Sequence, residues 1–300
     1  MKLNNYRRGF ESFLKLERSL SPNSVDAYLR DFDKFVQFLC ISNLDLGIKE
    51  VEAKHIESFL SSLYDLDIAA RSQARILSGL KAFYNYLNTE ELVEFNPTVL
   101  IEGPKLGVKL PEILAIEEID QLIGAIDLSS KEGERNRAIL ETLYSCGLRV
   151  SELINLKISN LLFDEGFVRV TGKGKKERIV PIGKAALKYI QYYFECRRNH
   201  QLIQKGEEDI VFLNNRGKRL TRIMIFTIVK RLVEVSGITK NVSPHTFRHS
   251  FATHLVDGGA DLRAVQEMLG HESITTTEVY THLDRQYLQD AIIQFHPRVN

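Results

Sequence analysis

The stretch PHTFRHSFATHLVDGGADLRAVQEMLGHESITTTEVYTHL, residues 244–283, holds the densest group of chemically active side chains in the sequence. His245 and Arg248 are three residues apart and therefore share one face of a helix. In the first turn of a helix, free backbone N–H groups and the helix dipole favour an anion such as phosphate. The stretch adds His271 after a glycine and Tyr280 near its end. Two imidazoles, a guanidinium and a phenol indicate a phosphate-handling site with a possible nucleophile.

The same residues have plainer interpretations. His245 alone also fits a residue that caps the helix, and Arg248 alone fits a surface cation. His245 and His249 are four residues apart, a spacing that can suit a metal. A zinc protease would need Glu directly after the first histidine, and Thr246 stands there instead. With no carboxylate beside the two histidines, the sequence predicts no metal site.

Length and composition indicate a globular protein of one or two domains. The chain has 300 residues, 44% of them apolar, and a net charge of +1, so DNA binding would need basic residues gathered on one face. Three widely spaced cysteines, Cys40, Cys146 and Cys196, indicate buried thiols in a reducing compartment, without a disulfide framework or a zinc site. Because no apolar run is long enough to span a membrane, we expect a soluble cytoplasmic protein.

The first part of the chain predicts a small all-α domain over residues 1–96. Apolar residues recur at helical spacing in four segments, and Ser21-Pro22 combines a capping serine with a proline in the first turn. On the fourth helix, Arg71 and Arg75 lie one turn apart and off the apolar stripe. They form either a solvated face or a pair of phosphate contacts. The predicted helices cover about 5–18, 22–39, 53–66 and 69–88.

A break in the pattern separates this domain from the rest. The segment NPTVLIEGPKLGVKLP, which ends at residue 111, contains three prolines and two glycines, so residues 97–111 are predicted to be a linker. Residues 112–300 would then form a second domain. Its last helix is expected over about 285–295, with apolar residues on one face.

The second domain combines amphipathic helices with one β-hairpin. The segment GFVRVTGKGKKERIVPI, residues 166–182, places Lys173 in a glycine-rich turn between two strand-forming runs. Arg149 follows Gly147, a glycine expected to end a helix, and Ser151 is a candidate start for the next short helix. Alone, Arg149 fits a salt-bridge partner of Glu152. The expected fold class is mainly α with a small β-sheet.

Six residues, taken in this order, resemble the active-site set of the tyrosine recombinases, the phage integrase family. They are Arg149 in GLRVSEL, Lys173 in TGKGKKER, His245 and Arg248 in HTFRHSFATHL, His271 in LGHESI, and Tyr280 in TTTEVYTH. The resemblance covers nearly the whole chain and is greatest to the XerC and XerD group of chromosome-dimer resolvases. The segments GADLRAVQEMLGH and HPRVN are more similar to the XerD type.

The resemblance implies a metal-independent and cofactor-independent cleavage of DNA. Arg149 and Arg248 would clamp the non-bridging oxygens of the phosphate and stabilise a pentacoordinate transition state. Tyr280 would attack phosphorus and become a 3′-phosphotyrosine, which stores the energy of the broken bond for rejoining. His245 would act as a base or hydrogen-bond partner. Lys173 would protonate the departing 5′-oxygen.

In the same family, His271 would donate a hydrogen bond to a phosphate oxygen. The N-terminal SAM-like domain and the catalytic domain would clamp opposite faces of double-stranded DNA, which favours a DNA-binding role for Arg71 and Arg75. The helix at 285–295 would dock in a neighbouring protomer, although it can instead pack on its own domain. The implied partners are a dif-like DNA site, a second XerC-like recombinase in a synaptic tetramer, and an FtsK-like translocase.

Three other functions would use parts of the same pattern. A mobile-element integrase shares the chemistry, but such enzymes often carry a further N-terminal domain, for which the residues before the linker leave no room. A type IB topoisomerase would act without a strand-exchange partner. A DNA-binding architectural protein would have an inactive site, and the full set of six residues argues against it.

Overall fold

The computed structural model describes residues 2–107, 112–172, 176–270 and 282–298. Contacts between Cα atoms divide the chain into two compact units, Met1–Lys109 and Leu110–Asn300. Each unit has a separate hydrophobic core. The expected fold class, mainly α with one small sheet, is confirmed.

The N-terminal unit consists of four α-helices after a short 3₁₀ turn at Lys2–Tyr6. Ser21 caps the second helix, since its Oγ accepts a hydrogen bond from the Ser24 N–H at 3.3 Å, and Pro22 opens the first turn. Phenylalanines fill the centre: the Phe32 and Phe83 rings lie 4.6 Å apart, and Phe10 packs edge-on against Phe83. The helices are α1 (Arg7–Leu16), α2 (Pro22–Ile41), α3 (Ala53–Asp65) and α4 (Ala70–Thr89).

The start of the predicted linker belongs to the N-terminal unit. Ile101 is buried in that core, and Thr98 is buried beside it. The Asn96 side chain holds the turn by accepting hydrogen bonds from the backbone and the hydroxyl of Thr98. Prolines and glycines mark the break in periodicity here, but they do not prevent an apolar residue between them from reaching the core. Residues 108–111 lie outside the described part of the chain.

The second unit surrounds a three-stranded antiparallel sheet with helices. The strands are β1 (Leu161–Leu162), β2 (Phe167–Thr171) and β3 (Glu177–Pro181), in spatial order β1-β2-β3. The predicted hairpin is β2–β3, in which Val168 faces Val180 and Thr171 faces Glu177. The helices are α5 (Ile116–Gly124), α6 (Gly133–Cys146), α7 (Val150–Ile154), α8 (Lys184–Cys196), α9 (Arg222–Ser236), α10 (Pro244–Gly258), α11 (Leu262–Leu269) and α12 (His282–Phe295).

Helix α6 forms the centre of this unit, because it is buried on nearly all sides. Gly147 ends it in a left-handed conformation, with φ of +55°, as predicted. A Cβ atom at this position would lie 2.5 Å from Cδ1 of Phe251. Glycine is therefore required twice, for the turn and for the close approach of α10. The contact brings the start of α7 next to α10.

The apolar face of α12 is covered by its own unit. Leu288, Ala291 and Ile292 are buried in the core of the second unit, together with residues of α10 and α11. In this single chain the helix therefore packs on its own domain, which was the alternative to docking in a neighbour. Docking in a second protomer stays a prediction, and it would require this face to leave the core.

Two expectations drawn from composition concern membrane-spanning helices and the burial of the cysteines. In the described ranges, no helix is both long enough and apolar enough to cross a membrane. Cys146 is buried, but Cys40 and Cys196 are exposed, so the expectation of buried thiols is wrong for these two. Both lie at or next to the last residue of a helix, α2 and α8, where the side chain points away from the core.

Candidate active site

Arg149 sits immediately before α7, at the capping position of that helix. Its backbone N–H donates to Oε2 of Glu152 at 2.8 Å, so the carboxylate closes the first turn. The predicted helix start at Ser151 is therefore one residue late, since α7 begins at Val150. The short turn from Gly147 aims the Arg149 side chain toward the end of α11 rather than into the unit's core.

The Arg149 guanidinium has two partners and remains accessible. Nη1 donates to Oε1 of Glu152 at 3.0 Å, and Nη2 donates to the carbonyl oxygen of Gly270 at 3.2 Å. About a third of the side chain is exposed, 34%. The salt bridge to Glu152 that the sequence suggested is present, and it leaves part of the guanidinium open to an incoming anion.

Arg248 is held from behind by two backbone carbonyls. From the second turn of α10, its Nη1 donates to the Gly147 oxygen at 2.7 Å and its Nη2 donates to the Leu269 oxygen. Burial, together with the nearby Arg149 charge, lowers the pKa of Arg248 to about 10. Since this pKa is still well above neutrality, the side chain stays a cation, fixed in orientation and only partly solvated.

His245 is the second residue of α10 and is exposed at the helix start. His245 also shares a face of α10 with Arg248, three residues further on. The pKa of His245 is lowered, mainly by partial desolvation and to a smaller extent by the charges of His249, Arg248 and Arg149. At neutral pH the imidazole is therefore held in the neutral form, which can accept a proton.

Glu152 and Arg178 complete this cluster, although neither was predicted from the sequence to belong to the site. Nη1 and Nη2 of Arg178 donate to the two carboxylate oxygens of Glu152 at 2.8 and 2.9 Å. Both side chains are buried. Burial alone would raise the pKa of Glu152, but the hydrogen bonds and charge of Arg178, with Arg149, hold it below its usual value.

The last three carbonyl groups of the α11 segment each accept from a different arginine. Arg178 Nε donates to the Met268 oxygen at 2.7 Å, Arg248 to Leu269, and Arg149 to Gly270. Carbonyls at the end of a helix lack partners within it and carry the negative end of the dipole. The end of α11 therefore holds the three cations together.

The cluster retains an excess of positive charge. Three guanidiniums surround one described carboxylate, that of Glu152. The N-terminus of α10 adds its positive dipole end beside His245. An oxyanion with two or more acceptor oxygens, such as a phosphate diester, matches this arrangement in charge and in hydrogen bonding.

Three of the six predicted residues lie outside the described residues: Lys173, His271 and Tyr280. The chain positions that precede two of them are described. Gly172, before Lys173, donates its N–H to the Lys176 oxygen at 2.8 Å at the end of the hairpin. Gly270, before His271, ends α11 with φ of +65°. The structure therefore brings together Arg149, His245 and Arg248, and the other three stay predictions.

Arg71 and Arg75 lie on α4 of the N-terminal unit and differ from each other. Arg75 pairs with Asp31 of α2, whose side chain is buried. Arg71 is exposed. The two arginines therefore differ in pairing and not in exposure, because Arg75 pairs with a buried carboxylate.

Signals for the two missed residues differ in strength. Glu152 lies three residues after Arg149, a spacing that predicts contact on a helix. Arg178 lies two residues before Val180 on β3. Because side chains two residues apart on a strand face the same side, both lie on the inward face of the hairpin. Its position beside charged residues in KKER conceals that pattern.

Comparison with known proteins follows the same division into two units. The sequence profile described as the phage integrase family matches residues 112–287, more than half of the chain. The profile of the phage integrase N-terminal SAM-like domain matches residues 8–91. The chain belongs to the phage integrase family. This tyrosine recombinase therefore has the chemistry of its family, which cuts and rejoins DNA through a tyrosine.

Individual relatives support the assignment over nearly full length. The recombinase is 43% identical to tyrosine recombinase XerD of Staphylococcus aureus strain Mu50 over 289 residues, which cover 95% of this chain and 96% of the relative. XerD of Staphylococcus haemolyticus is 42% identical over the same shares. Among solved structures, XerH bound to a palindromic difH substrate has a TM-score of 0.72 at 25% identity, covering 97% of this chain and 86% of that chain.

Proposed function

We propose that this tyrosine recombinase is a site-specific, XerD-like enzyme that exchanges strands at a dif-like chromosomal site and so resolves chromosome dimers. The observation that carries the proposal is the pair Arg149 and Arg248, brought together with His245 at the end of α11. The similarity to XerD over 95% of the chain supports the finer assignment. The difH substrate bound by the relative XerH supports a dif-like site as the target.

The arginines would bind the scissile phosphate. Arg149 reaches solvent with part of its guanidinium, while Arg248 presents a cation fixed by Gly147 and Leu269. As the transition state forms, negative charge on the non-bridging oxygens grows, and preorganised donors stabilise it more than the ground state. Metal ions would not be needed, because the two guanidiniums supply the positive charge.

Tyr280 would then be the nucleophile. Its oxygen attacks phosphorus, the bond from phosphorus to the 5′-oxygen breaks, and a 3′-phosphotyrosine forms. His245, neutral because of its lowered pKa, would accept the proton of the Tyr280 phenol or donate a hydrogen bond to the phosphate. Lys173 would give a proton to the departing 5′-oxygen, and His271 would bind a phosphate oxygen. Attack by the 5′-hydroxyl of the partner strand reverses these bonds on a new strand.

The proposal extends to the assembly. Double-stranded DNA would lie between the two units, with the part of 97–111 beyond the N-terminal core as the linker and Arg71 or Arg75 on the DNA. A second, XerC-like recombinase would complete a synaptic tetramer, and an FtsK-like translocase would activate it. Such an enzyme would work in the cytoplasm.

A nicked duplex tests the central claim. Cleavage beside the nick releases a short strand, so the protein remains covalently attached to the DNA. Using a nicked dif-like duplex, with and without a second, XerC-like recombinase, we expect an adduct that survives denaturing electrophoresis. Tyr280→Phe should abolish the adduct and preserve DNA binding, and EDTA should change neither. Adducts with Tyr280→Phe would contradict the nucleophile, and a metal requirement would contradict the mechanism.

A further inference from the structure

We propose that Arg178 is a positioning residue that aligns Arg149 and holds the described chain ends before Lys173 and His271, an inference that rests on the function proposed above. Arg178 does not face the open part of the cluster. Its side chain instead contacts the three chain segments from which Arg149, Lys173 and His271 come. In this role Arg178 sets the geometry of the phosphate site in addition to stabilising the unit.

The first link runs through Glu152 to Arg149. Arg178 binds both oxygens of Glu152, and Oε1 of the same carboxylate accepts from Nη1 of Arg149. The other oxygen caps the Arg149 backbone N–H. A bidentate contact fixes the plane of the carboxylate. Because that plane determines where Arg149 can bond, Arg178 sets the direction of the Arg149 fork.

The second link reaches the residue before His271. Arg178 Nε donates to the Met268 oxygen at 2.7 Å, in the last turn of α11. A Cβ atom at Gly270 would lie 3.0 Å from Cδ of Arg178, so the turn that ends α11 packs directly on this side chain. The path of the chain into His271 therefore starts from a point that Arg178 holds.

The third link is to the hairpin end that carries Lys173. Arg178 itself lies on β3, where it pairs with Val170 of β2. A Cβ atom at Gly172 would lie 3.6 Å from both Nη1 of Arg178 and Oε1 of Glu152, which is ordinary contact distance. The buried pair therefore lies beneath the last described residue before Lys173.

Only arginine can make the two described links that use hydrogen bonds. Its Nε and both Nη atoms lie in one rigid plane, and here they serve Met268 on one side and Glu152 on the other. A lysine would retain the positive charge near Glu152 but has a single nitrogen. Arg178→Lys therefore separates the charge of the residue from its geometry.

The test uses the charge of the substrate. A methylphosphonate at the scissile position replaces a charged non-bridging oxygen with a neutral methyl group, which reduces the need for Arg149. A variant that misplaces Arg149 should then lose less activity on methylphosphonate than on phosphate. A variant that only reduces the folded fraction loses the same factor on both substrates.

We would measure single-turnover adduct formation on matched nicked dif-like duplexes, one with phosphate and one with racemic methylphosphonate. Arg178→Gln and Arg178→Lys should lower cleavage of the phosphate substrate by about 100-fold. On methylphosphonate the loss should be below about 10-fold, and Arg149→Ala should show the same asymmetry. Combining Arg178→Gln with Arg149→Ala should add little on phosphate, because the two changes remove one function.

The matched control is Arg169→Gln, on the neighbouring strand β2, where the side chain is exposed. It should leave the ratio of the two rates unchanged. Equal losses on both substrates for the Arg178 variants, or no loss at all, would overturn the role of Arg178 while leaving the proposed function intact. If the wild type forms no Tyr280-dependent adduct, the proposed function fails, and this inference fails with it.

Discussion

Nη2 of Arg149 lies 3.2 Å from the carbonyl oxygen of Gly270, a residue 121 positions further along the chain. The contact joins the start of α7 to the end of α11, directly before His271. Two distant parts of the sequence therefore meet at one point of the candidate site. The positions of the arginines depend on this tertiary contact as much as on their own helices.

Replacing Arg248 by lysine should lower cleavage although the charge is kept. A lysine cannot bond Gly147, Leu269 and a phosphate together, because it lacks the planar fork. We expect single-turnover adduct formation to fall by about 100-fold or more, with DNA affinity within about threefold. Arg263→Lys on the exposed side of α11 is the control and should behave as wild type. A fully active Arg248→Lys would show that charge alone is sufficient.

Arg71 and Arg75 should give opposite results. Arg71→Gln is expected to weaken DNA binding and to reduce the slope of log affinity against log salt concentration by about 1. Arg75→Gln leaves the buried Asp31 without its cation, so the N-terminal unit should lose about 1–2 kcal/mol, a value reduced for the partial exposure of Arg75.

Amide hydrogen exchange of α2 and α4, compared with a DNA titration, separates the two effects. The loss of stability in Arg75→Gln should be larger because Oδ1 of Asp31 already has no hydrogen-bond partner within the described residues. The prediction for Arg75 is wrong if Arg75→Gln leaves exchange in both helices unchanged.

Acid should weaken the anchoring of the segment after α12 through His296. In the folded chain, Nδ1 of His296 accepts a hydrogen bond from the backbone N–H of Arg298, and Nε2 lies 3.4 Å from the backbone carbonyl oxygen of Tyr144. This pattern of one acceptor and one donor nitrogen fits a neutral ring. Burial lowers the pKa of His296 to about 4, against about 6.5 when unfolded. The unfolded chain therefore binds more protons between these values, so stability falls as pH drops from about 6.5 to 4.

The measurement is urea unfolding at about pH 7.5 and about pH 5.5. Over this step the wild type should lose about 1 kcal/mol more than His296→Gln, since one unit of pKa difference corresponds to about 1.4 kcal/mol. The pKa of His254, which bonds the Tyr144 hydroxyl, is also lowered by burial and acts in the same direction in both proteins. If the stability of the two proteins depends equally on pH, His296 is not the cause of the stability lost in acid.

Two adjacent isoleucines test where α12 packs. Ile292 is 2% exposed in the core of the second unit, and Ile293 is 51% exposed. Ile292→Ala should cost about 3 kcal/mol in the dilute protein, because it leaves a cavity, and Ile293→Ala should cost little. Protease resistance of the second unit under native conditions measures both. If Ile292→Ala has no effect without a partner protomer, α12 does not pack on its own unit in solution.

Local pattern predicts much of the fold. The Ser21-Pro22 and Gly147 signals are short-range, so the sequence alone predicts these ends of α2 and α6. The hairpin β2–β3 follows from two strand-forming runs around glycines. Ile101 is different, since it lies among prolines and glycines and only the tertiary core shows that it is buried.

Some residues of the candidate site can be predicted from the sequence, and others only from the tertiary structure. Arg149, His245 and Arg248 are identified by residue type, order and family resemblance, and the structure places them together. Arg178 is not, because sequence patterns assign charged residues to the surface. Its partners, Glu152 and the Met268 carbonyl, lie 26 and 90 residues away. A backbone carbonyl also leaves no trace in the sequence, since every residue has one.

The excess of positive charge among Arg149, Arg178 and Arg248 has a thermodynamic consequence. Without a ligand, the three guanidiniums repel one another, and Glu152 with the end of α11 offsets only part of that repulsion. A phosphodiester bound at the proposed site would act as the missing counter-ion. We therefore expect the free protein to be less stable than the protein on DNA, because only the bound substrate would complete the charge balance of this cluster. Sulfate or inorganic phosphate in a buffer would occupy the same place, stabilising the enzyme while inhibiting it.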